Sequence, residues 1–342
     1  MEKNNNRERL FYLDFVRAIA VILILLTHYN AWFVFGVAEP QLNKCVLFEY
    51  PFGIYIGDLG VSLFLIISGA ALMYVYNGKL SLISFYKKRF LSIYPMFWMA
   101  YLVAVLPKLG LWSAMGLDIP KWRIFVTIAG MDGYLSEYGA GFYILGEWFL
   151  GFIVLFYFIF PILRVLIQKY EIITWIAIAV IYCVVIRYYN LEMAMSKCIL
   201  IRLPELCFGM SLVKHRLKIK WPVAVFATLI LIANTIIKPE LVSSIRTTYV
   251  GIAFFIVLVF VADYVKYKGI QVVCAFLTKY SYSIFLVHHV IFEYIQAAFD
   301  ANTISVAGSY GLFAVSVLII IPVAYMLNVA SDSVCDKLKK YI

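Results

Sequence analysis

The first long apolar segment of the chain carries two side chains that could do chemistry together, Arg17 and His28. If the segment is helical, their spacing is almost three turns, so both lie on one face and about 16 Å apart. A guanidinium is a planar, forked cation that suits phosphate, and a neutral imidazole can take up and release a proton. The pair predicts a polar track, with phosphate binding at one end and proton transfer nearer the other.

Two simpler interpretations of these side chains stay open. Asp14 lies within one helical turn of Arg17, so the two could form an ion pair. His28 could be hydrogen-bonded to a neighbouring helix without any role in a reaction. Because an ionisable group near the bilayer centre costs about 2.5–3.5 kcal/mol, we favour a function and take His28, Arg17 and Asp14 as the candidate catalytic residues.

Four more ionisable residues, in or beside apolar segments, are candidates for substrate binding. Arg89 ends a basic run before the third segment and could bind an anion or simply orient the helix. Glu147 precedes a tryptophan and could contact a sugar hydroxyl or mark the membrane interface. Arg202 and Glu205 are one turn apart and could bind substrate or form an internal ion pair.

A pair of histidines, His288 and His289, lies in the ninth apolar segment. Neighbouring helical residues point about 100° apart, so at most one of the two is expected to face the axis of a helical bundle. We take His288 as the candidate and expect it to bind substrate. His215 lies in a basic loop and is expected to be solvated.

The elements that must position these residues follow from the composition. The chain of 342 residues is 64% hydrophobic and 14% charged, with a mean hydropathy of +0.92, whereas soluble proteins average about 45–50% apolar and 25% charged residues. A soluble domain could not bury so many apolar residues, and disordered chains contain far fewer of them. The composition therefore excludes both classes. We predict an all-α integral membrane protein, a bundle of about ten transmembrane helices. It is expected to form one domain over 1–342 with no appended soluble domain.

The apolar blocks and the breaks between them give the bounds of the spans. The predicted spans are residues 12–34, 54–76, 91–111, 146–167, 171–189, 198–213, 222–237, 247–265, 280–299 and 309–330. Between the third and the fourth, the segment 112–145 contains a short apolar piece at 123–130. This piece is too short to cross a bilayer and is predicted to be re-entrant or interfacial.

The distribution of basic residues predicts the orientation of the bundle. With a cytoplasmic N-terminus, 19 of the 29 Lys and Arg residues fall in cytoplasmic segments and eight in outer segments. Membrane proteins carry such an excess on the inside, so both termini are predicted to be cytoplasmic. The same placement accounts for the net charge of +10, which therefore does not indicate nucleic-acid binding.

Metal and redox chemistry leave no signature in the sequence. The six cysteines are scattered, and none forms a CxxC pair or a Cys/His spacing typical of zinc. No GxGxxG, Walker, HExxH or GxSxG motif is present. We expect neither a metal site, nor a disulfide framework, nor a bound cofactor.

Several motifs, taken together and in order, resemble those of the acyltransferase 3 family of integral membrane acyltransferases. They are LDFVR at 13–17 with the histidine at 28, GVSLFLIISG at 60–69, YKKRFLSIYP at 86–95, WFL at 148–150 with FY at 156–157 and the proline at 161, and SYSIFLVH at 281–288. The resemblance covers about residues 10–290, which is most of the chain.

The resemblance implies transfer of an acyl group, commonly acetyl, from acetyl-CoA inside the cell to a hydroxyl of a glycan or lipid-linked sugar. By motif match, His28 is the catalytic position and Arg17 its functional partner, while Arg89 matches the first arginine of an R-x-x-R motif. The second arginine of that motif is Ser92 here, and the usual glutamate five positions after the tryptophan is Ile153. The family also implies a bacterial plasma membrane.

Three functions follow as hypotheses. The favoured one is a membrane O-acyltransferase in which Arg17 and Arg89 hold the phosphates of acyl-CoA, a co-substrate, and His28 acts as a base or carries the acyl group. Its partners would be acyl-CoA, the sugar acceptor, membrane lipids and, for transfer outside the cell, a partner protein. The alternatives are a transporter or flippase for a lipid-linked saccharide and a non-catalytic scaffold. Binding of acyl-CoA separates the first from the others.

Overall fold

A computed structural model describes residues 10–106, 119–139 and 141–339 of the chain, and this part is helical without any strand. Its eleven α-helices are α1 (Phe11–Val34), α2 (Ile56–Val75), α3 (Leu82–Val105), α4 (Arg123–Ile128), α5 (Trp148–Lys169), α6 (Glu171–Tyr188), α7 (Leu203–Lys214), α8 (Trp221–Ile237), α9 (Ser243–Ala262), α10 (Lys268–Gln296) and α11 (Val306–Leu338).

Seven of the described helices are long and apolar enough to cross a membrane, namely α1, α2, α5, α6, α9, α10 and α11. The prediction of an all-α membrane bundle is therefore confirmed. The other three predicted spans fall on α3, on α8 with 17 residues and on α7 with 12. The cytoplasmic placement of both termini stays a prediction, and residues 1–9 and 340–342 lie outside the described part.

Several helices are longer than the apolar blocks that predicted them. α10 begins at Lys268 rather than near 280, and α11 continues to Leu338. α3 begins at Leu82, where the side chain of Ser81 accepts a hydrogen bond from the backbone of Ser84. Apolar residues show only which part of a helix faces lipid or core. The backbone hydrogen bonds that form the helix continue through polar residues, so the helix extends beyond the apolar block.

Helix α2 lies at the centre of the bundle and packs against α1 on one side and α7 on the other. Two glycines allow the α2–α7 contact. A methyl group on Gly69 would lie 2.0 Å from the carbonyl oxygen of Leu206, and one on Gly209 would lie 1.9 Å from that of Ile66. Small residues at these points let the two backbones touch.

The remaining contacts of α1 place it inside the bundle. α1 also packs against α9 and α10, so with α2 three helices surround it. By contrast, only 11% of the apolar stretch of α6 and 17% of that of α11 are buried within the protein. These two helices form the periphery, where their apolar side chains face the lipid.

The described parts of the predicted segment 112–145 fold around a buried carboxylate. α4 ends before Gly130, whose φ is +69°. Asp132 accepts hydrogen bonds from the hydroxyl of Thr127 at 2.7 Å and from the backbone N–H of Phe142 at 2.6 Å. These bonds fix the chain that leads into α5. Its re-entrant or interfacial position stays a prediction, and residues 112–118 lie outside the described part.

Candidate active site

A cavity of about 540 Å³ lies between α1, α2, α3, α5 and α10. Arg17 and His28 both line it, as their position on one face of α1 predicts. α2 runs antiparallel to α1, so that Gly57 lies beside Thr27 and Gly60 beside Ile24. The cavity follows α1 from Arg17 to His28 and therefore connects the two groups that could do chemistry.

One end of the cavity is cationic. Arg17 of α1 and Arg89 of α3 line it, together with Tyr157 of α5. The guanidinium of Arg89 lies over the ring of Tyr157 at 5.5 Å and over that of Tyr76 at 5.9 Å, a favourable cation–π geometry. Its Nε is buried and has no hydrogen-bond partner among the described residues. Two arginines from different helices thus face one space that could hold an anion.

The middle of the cavity is apolar. Ile24, Val61, Phe64, Phe149 and Phe285 contribute side chains from four helices. The rings of Phe149 and Phe285 meet edge to face with centroids 6.0 Å apart. Such a wall suits an apolar group in the space between the arginines and His28.

The other end is polar and surrounds His28. Tyr55, Asp58, Trp148 and Lys197 line it. The hydroxyl of Thr27, next to His28 on α1, donates a hydrogen bond of 2.7 Å to the hydroxyl oxygen of Tyr55. The ammonium of Lys197 lies 5.8 Å from the ring centroid of Trp148. This end combines a carboxylate, a cation and aromatic faces around the imidazole.

Three histidine rings meet at this position. The centroid of the His28 ring lies 4.8 Å from that of His288 and 5.4 Å from that of His289. Both rings of the adjacent pair therefore contact one residue of α1, and the expectation that at most one of them faces the bundle axis stays a prediction. The centroids of the His288 and His289 rings are 6.4 Å apart, so the three rings form a compact triangle where α1 packs on α10.

Arg202 and Glu205 form the internal ion pair that was one interpretation of their spacing. Their side chains are 2.8 Å apart and almost fully buried. Arg202 also lies 3.5 Å from Asp58, and Ser62 donates a 2.7 Å hydrogen bond to Glu205. Of these four residues, only Asp58 lines the cavity. The pair therefore holds Asp58 in place from behind.

The other predicted site residues lie away from the cavity wall. Glu147 is fully buried, and one of its oxygens accepts a 2.7 Å hydrogen bond from the backbone of Leu145. Asp14 lines a separate cavity, between the start of α1 and the end of α9, which also contains Asp263 and Lys266. The structure thus brings Arg17, Arg89 and His28 to one space, and their roles stay predictions.

Sequence reasoning gave no role to three residues of the polar end. Asp58 was visible as an acidic residue inside an apolar segment, which is a signal for function. Lys197 was visible only as one basic residue of an outer segment, and Tyr55 had no signal at all. Within the described residues, no cluster of His, Cys, Asp or Glu is arranged to hold a metal ion.

A buried carboxylate lies near the same end of α1, in the segment that joins α1 to α2. Glu49 is 5% exposed and accepts a 2.9 Å hydrogen bond from the side-chain amide of Asn30. Burial raises the pKa of Glu49 above its ordinary value, and the bond from Asn30 offsets part of that rise. Glu49 does not line the cavity, so we assign it a role in stability.

The helices define an integral membrane protein, and its internal cavity joins a cationic end to an apolar middle and a polar end. The model of the acyltransferase 3 family, described as an acyltransferase domain, matches residues 10–328, and the chain belongs to that family. The resemblance found in the motifs is thereby confirmed over nearly the whole chain. Membership implies a multi-pass membrane acyltransferase. No curated protein and no solved structure gives a significant match.

Proposed function

We propose that this protein moves an acetyl group from cytoplasmic acetyl-CoA to a hydroxyl of a cell-surface glycan or lipid-linked sugar. The observation that carries the proposal is that Arg17, Arg89 and His28 line one cavity. Such a cavity lets the charged part of the donor stay at one end while its acyl group reaches the histidine.

The cationic end suits the phosphates of CoA. Guanidinium groups bind phosphate through two parallel hydrogen bonds, and the unpartnered Nε of Arg89 leaves such donors available. Ser92 stands where the family's second arginine is usual, but Arg17 approaches from α1 and supplies the second cation. We expect a clamp made by two helices instead of one.

The apolar middle suits the long pantetheine arm of the donor. Val61, Phe64 and Phe149 surround the path from the arginines to His28. With the phosphates held at Arg17 and Arg89, the arm extends along α1 and brings the thioester to the imidazole. Exclusion of water here protects the thioester from hydrolysis.

In the reaction, His28 acts as a general base. One of its ring nitrogens takes the proton of the acceptor hydroxyl while the oxygen forms a bond to the thioester carbonyl carbon. The carbon–sulfur bond then breaks, and the proton passes from the imidazolium to the sulfur of CoA. The products are the acetyl ester and free CoA, and His28 returns to its neutral form.

The polar end is the proposed site of the acceptor. The Asp58 carboxylate can accept hydrogen bonds from sugar hydroxyls, and the Trp148 face can stack on a sugar ring. Both residues line the cavity on the side of His28 away from the arginines. We place the protein in a bacterial plasma membrane, where this end would open outward, with a partner protein for acceptors beyond the membrane.

The test uses purified protein in proteoliposomes, with radiolabelled acetyl-CoA as donor and the glycan and lipid fraction of the host membrane as acceptor. We expect base-labile label with the wild type and a loss on the order of 10²–10⁴-fold for His28→Ala, the usual contribution of a general base. His215→Ala, in an exposed loop, is the matched control and should keep full activity.

Stabilisation by acetyl-CoA, measured on the same protein, also distinguishes an acyltransferase from a transporter. Acetyl-CoA should stabilise both the wild type and His28→Ala against heat, because the proposed phosphate clamp does not include the histidine. Movement of a lipid-linked sugar without acetyl-CoA, together with no stabilisation and no label, would replace the acyltransferase by a flippase. Full transfer by folded His28→Ala would remove the histidine from the mechanism.

A further inference from the structure

The imidazole of His288 is held in one tautomer by its own helix. Its Nδ1 lies 3.0 Å from the carbonyl oxygen of Ile284 and 2.8 Å from that of Phe285. A carbonyl oxygen can only accept a hydrogen bond, so Nδ1 must carry the hydrogen. In the neutral ring, Nε2 is therefore a bare acceptor.

That acceptor is buried without a partner. His288 is 1% exposed, and its Nε2 makes no hydrogen bond to any described residue. The described polar groups that interact with the His288 ring are His28, His289 and the backbone of Ile284 and Phe285, so a charged ring would be a buried cation without a counter-ion. An unsatisfied acceptor in such a place is costly and calls for an explanation, of which a role in catalysis is one.

The ring closest to His288 among the described aromatic contacts is that of His28, at 4.8 Å between centroids and 63° between planes. At this separation, a ring nitrogen of His28 comes within hydrogen-bonding distance of the fixed Nε2 of His288 once the His28 ring turns about its side-chain bonds. Catalytic hydrogen bonds are often long or misaligned in the absence of substrate and tighten when it binds. His28 lines the cavity, whereas His288 does not and lies behind it.

We propose that His288 is the positioning residue for His28, accepting a hydrogen bond from one ring nitrogen of His28 so that the other faces the acceptor hydroxyl as the base. The inference rests on the proposed acetyl transfer and changes the expected role of His288 from substrate binding to orientation. His288 itself takes no proton from the substrate. It fixes which nitrogen of His28 carries hydrogen, the role that a second group commonly has beside a catalytic base.

Two amide variants separate this role from a purely structural one. In His288→Asn, the short amide can still donate to the carbonyls of Ile284 and Phe285, but it offers no acceptor at the position of Nε2. In His288→Gln, the longer amide can present its oxygen where Nε2 lies. A structural role predicts rescue by asparagine, and a positioning role predicts rescue by glutamine.

The experiment measures kcat and KM for radiolabelled acetyl-CoA in the same proteoliposome assay. We expect His288→Asn to lose kcat on the order of 10²-fold, the effect of misplacing a catalytic group, with KM nearly unchanged. His288→Gln should keep most of the activity, and His215→Gln is the control for the same substitution elsewhere. Stabilisation by acetyl-CoA verifies that each variant folds.

The outcomes are distinguishable. Loss in His288→Asn with retention in His288→Gln supports the inference. Equal activity of the two variants overturns the inference, whether both are active or both inactive. Rescue by asparagine alone overturns it too, because activity then does not depend on an acceptor atom at the position of Nε2. If the wild type itself transfers no acetyl group, the proposed function fails instead, and the role of His288 falls with it.

Discussion

Replacing Arg202 by methionine should destabilise the protein strongly, because this guanidinium balances the carboxylates around it. Arg202 is 1% exposed and lies 2.8 Å from Glu205 and 3.5 Å from Asp58. Glu205 is fully buried. Without Arg202, the described side chain that still donates a hydrogen bond to Glu205 is the Ser62 hydroxyl, at 2.7 Å. The substitution leaves a carboxylate in the core without its cation.

The magnitude follows from the burial of each carboxylate. Removing one partner of a buried ion pair costs about 3–5 kcal/mol, because the remaining charge keeps its desolvation penalty. Glu205 is expected to contribute that full amount. The Asp58 side chain is 25% exposed and faces the cavity, so hydration there limits its share. We therefore expect Arg202→Met to lower the free energy of unfolding by about 3–5 kcal/mol.

The assay is unfolding of the purified protein in mixed micelles by titration with sodium dodecyl sulfate, followed by tryptophan fluorescence. The control is the double variant Arg202→Met/Glu205→Met. Replacing both members of a buried pair by apolar side chains is often neutral, so the double variant should recover most of the lost stability. A single variant within about 1 kcal/mol of the wild type, or a double variant as unstable as the single, would refute the reasoning.

Three other changes test different parts of the structure. Gly69→Ala should cost about 1–3 kcal/mol or more in the same unfolding assay, because its methyl group would meet the carbonyl oxygen of Leu206, a backbone atom, at 2.0 Å. Burial raises the pKa of Glu49 in the folded protein. The stability that this shift contributes is therefore present below the ordinary carboxyl pKa and is lost as pH rises through the raised pKa of Glu49. Glu49→Gln should remove this loss of stability with rising pH. Arg89→Gln should raise KM for acetyl-CoA by about 10–100-fold, since a hydrogen bond to a charged group contributes about 1.5–3 kcal/mol, with kcat nearly unchanged.

Each of these predictions has a matched control. Gly78→Ala adds the same methyl group where nothing lies within 4 Å, and equal stability loss in both glycine variants would contradict the packing argument. Glu39→Gln, exposed on the same segment, should keep the pH-dependent fall of the wild type. Lys88→Gln, exposed beside Arg89, should leave KM unchanged. A similar rise in KM for both variants would show that Arg89 contributes only general positive charge.

Local spacing was sufficient to predict which face of a helix a residue occupies. Arg17 and His28 are on one face of α1 because eleven positions are close to three helical turns, and this relation depends on no other part of the chain. The Arg202–Glu205 pair follows for the same reason, since residues three apart are neighbours on any helix. In both cases the backbone geometry fixes the relation before the helices pack.

The sequence alone did not predict which helices contact one another around the site. The position of Arg89 opposite Arg17 depends on how α3 lies against α1 and α5, and nothing in the spacing of either arginine encodes it. The contact of both His288 and His289 with His28 has the same origin. It requires close packing of α1 on α10, which the angle between adjacent side chains on one helix cannot reveal.

By itself, the sequence determined the all-α membrane class, the approximate helices, the family and the pair on α1, because composition, periodicity and motif order are local properties of the chain. Only the tertiary structure decided that Arg17, Arg89 and His28 share one cavity, that Asp58 and Lys197 complete its polar end, and that His288 stands behind the proposed base. These relations come from the close packing of distant helices, where a shift of one ångström changes which side chains meet.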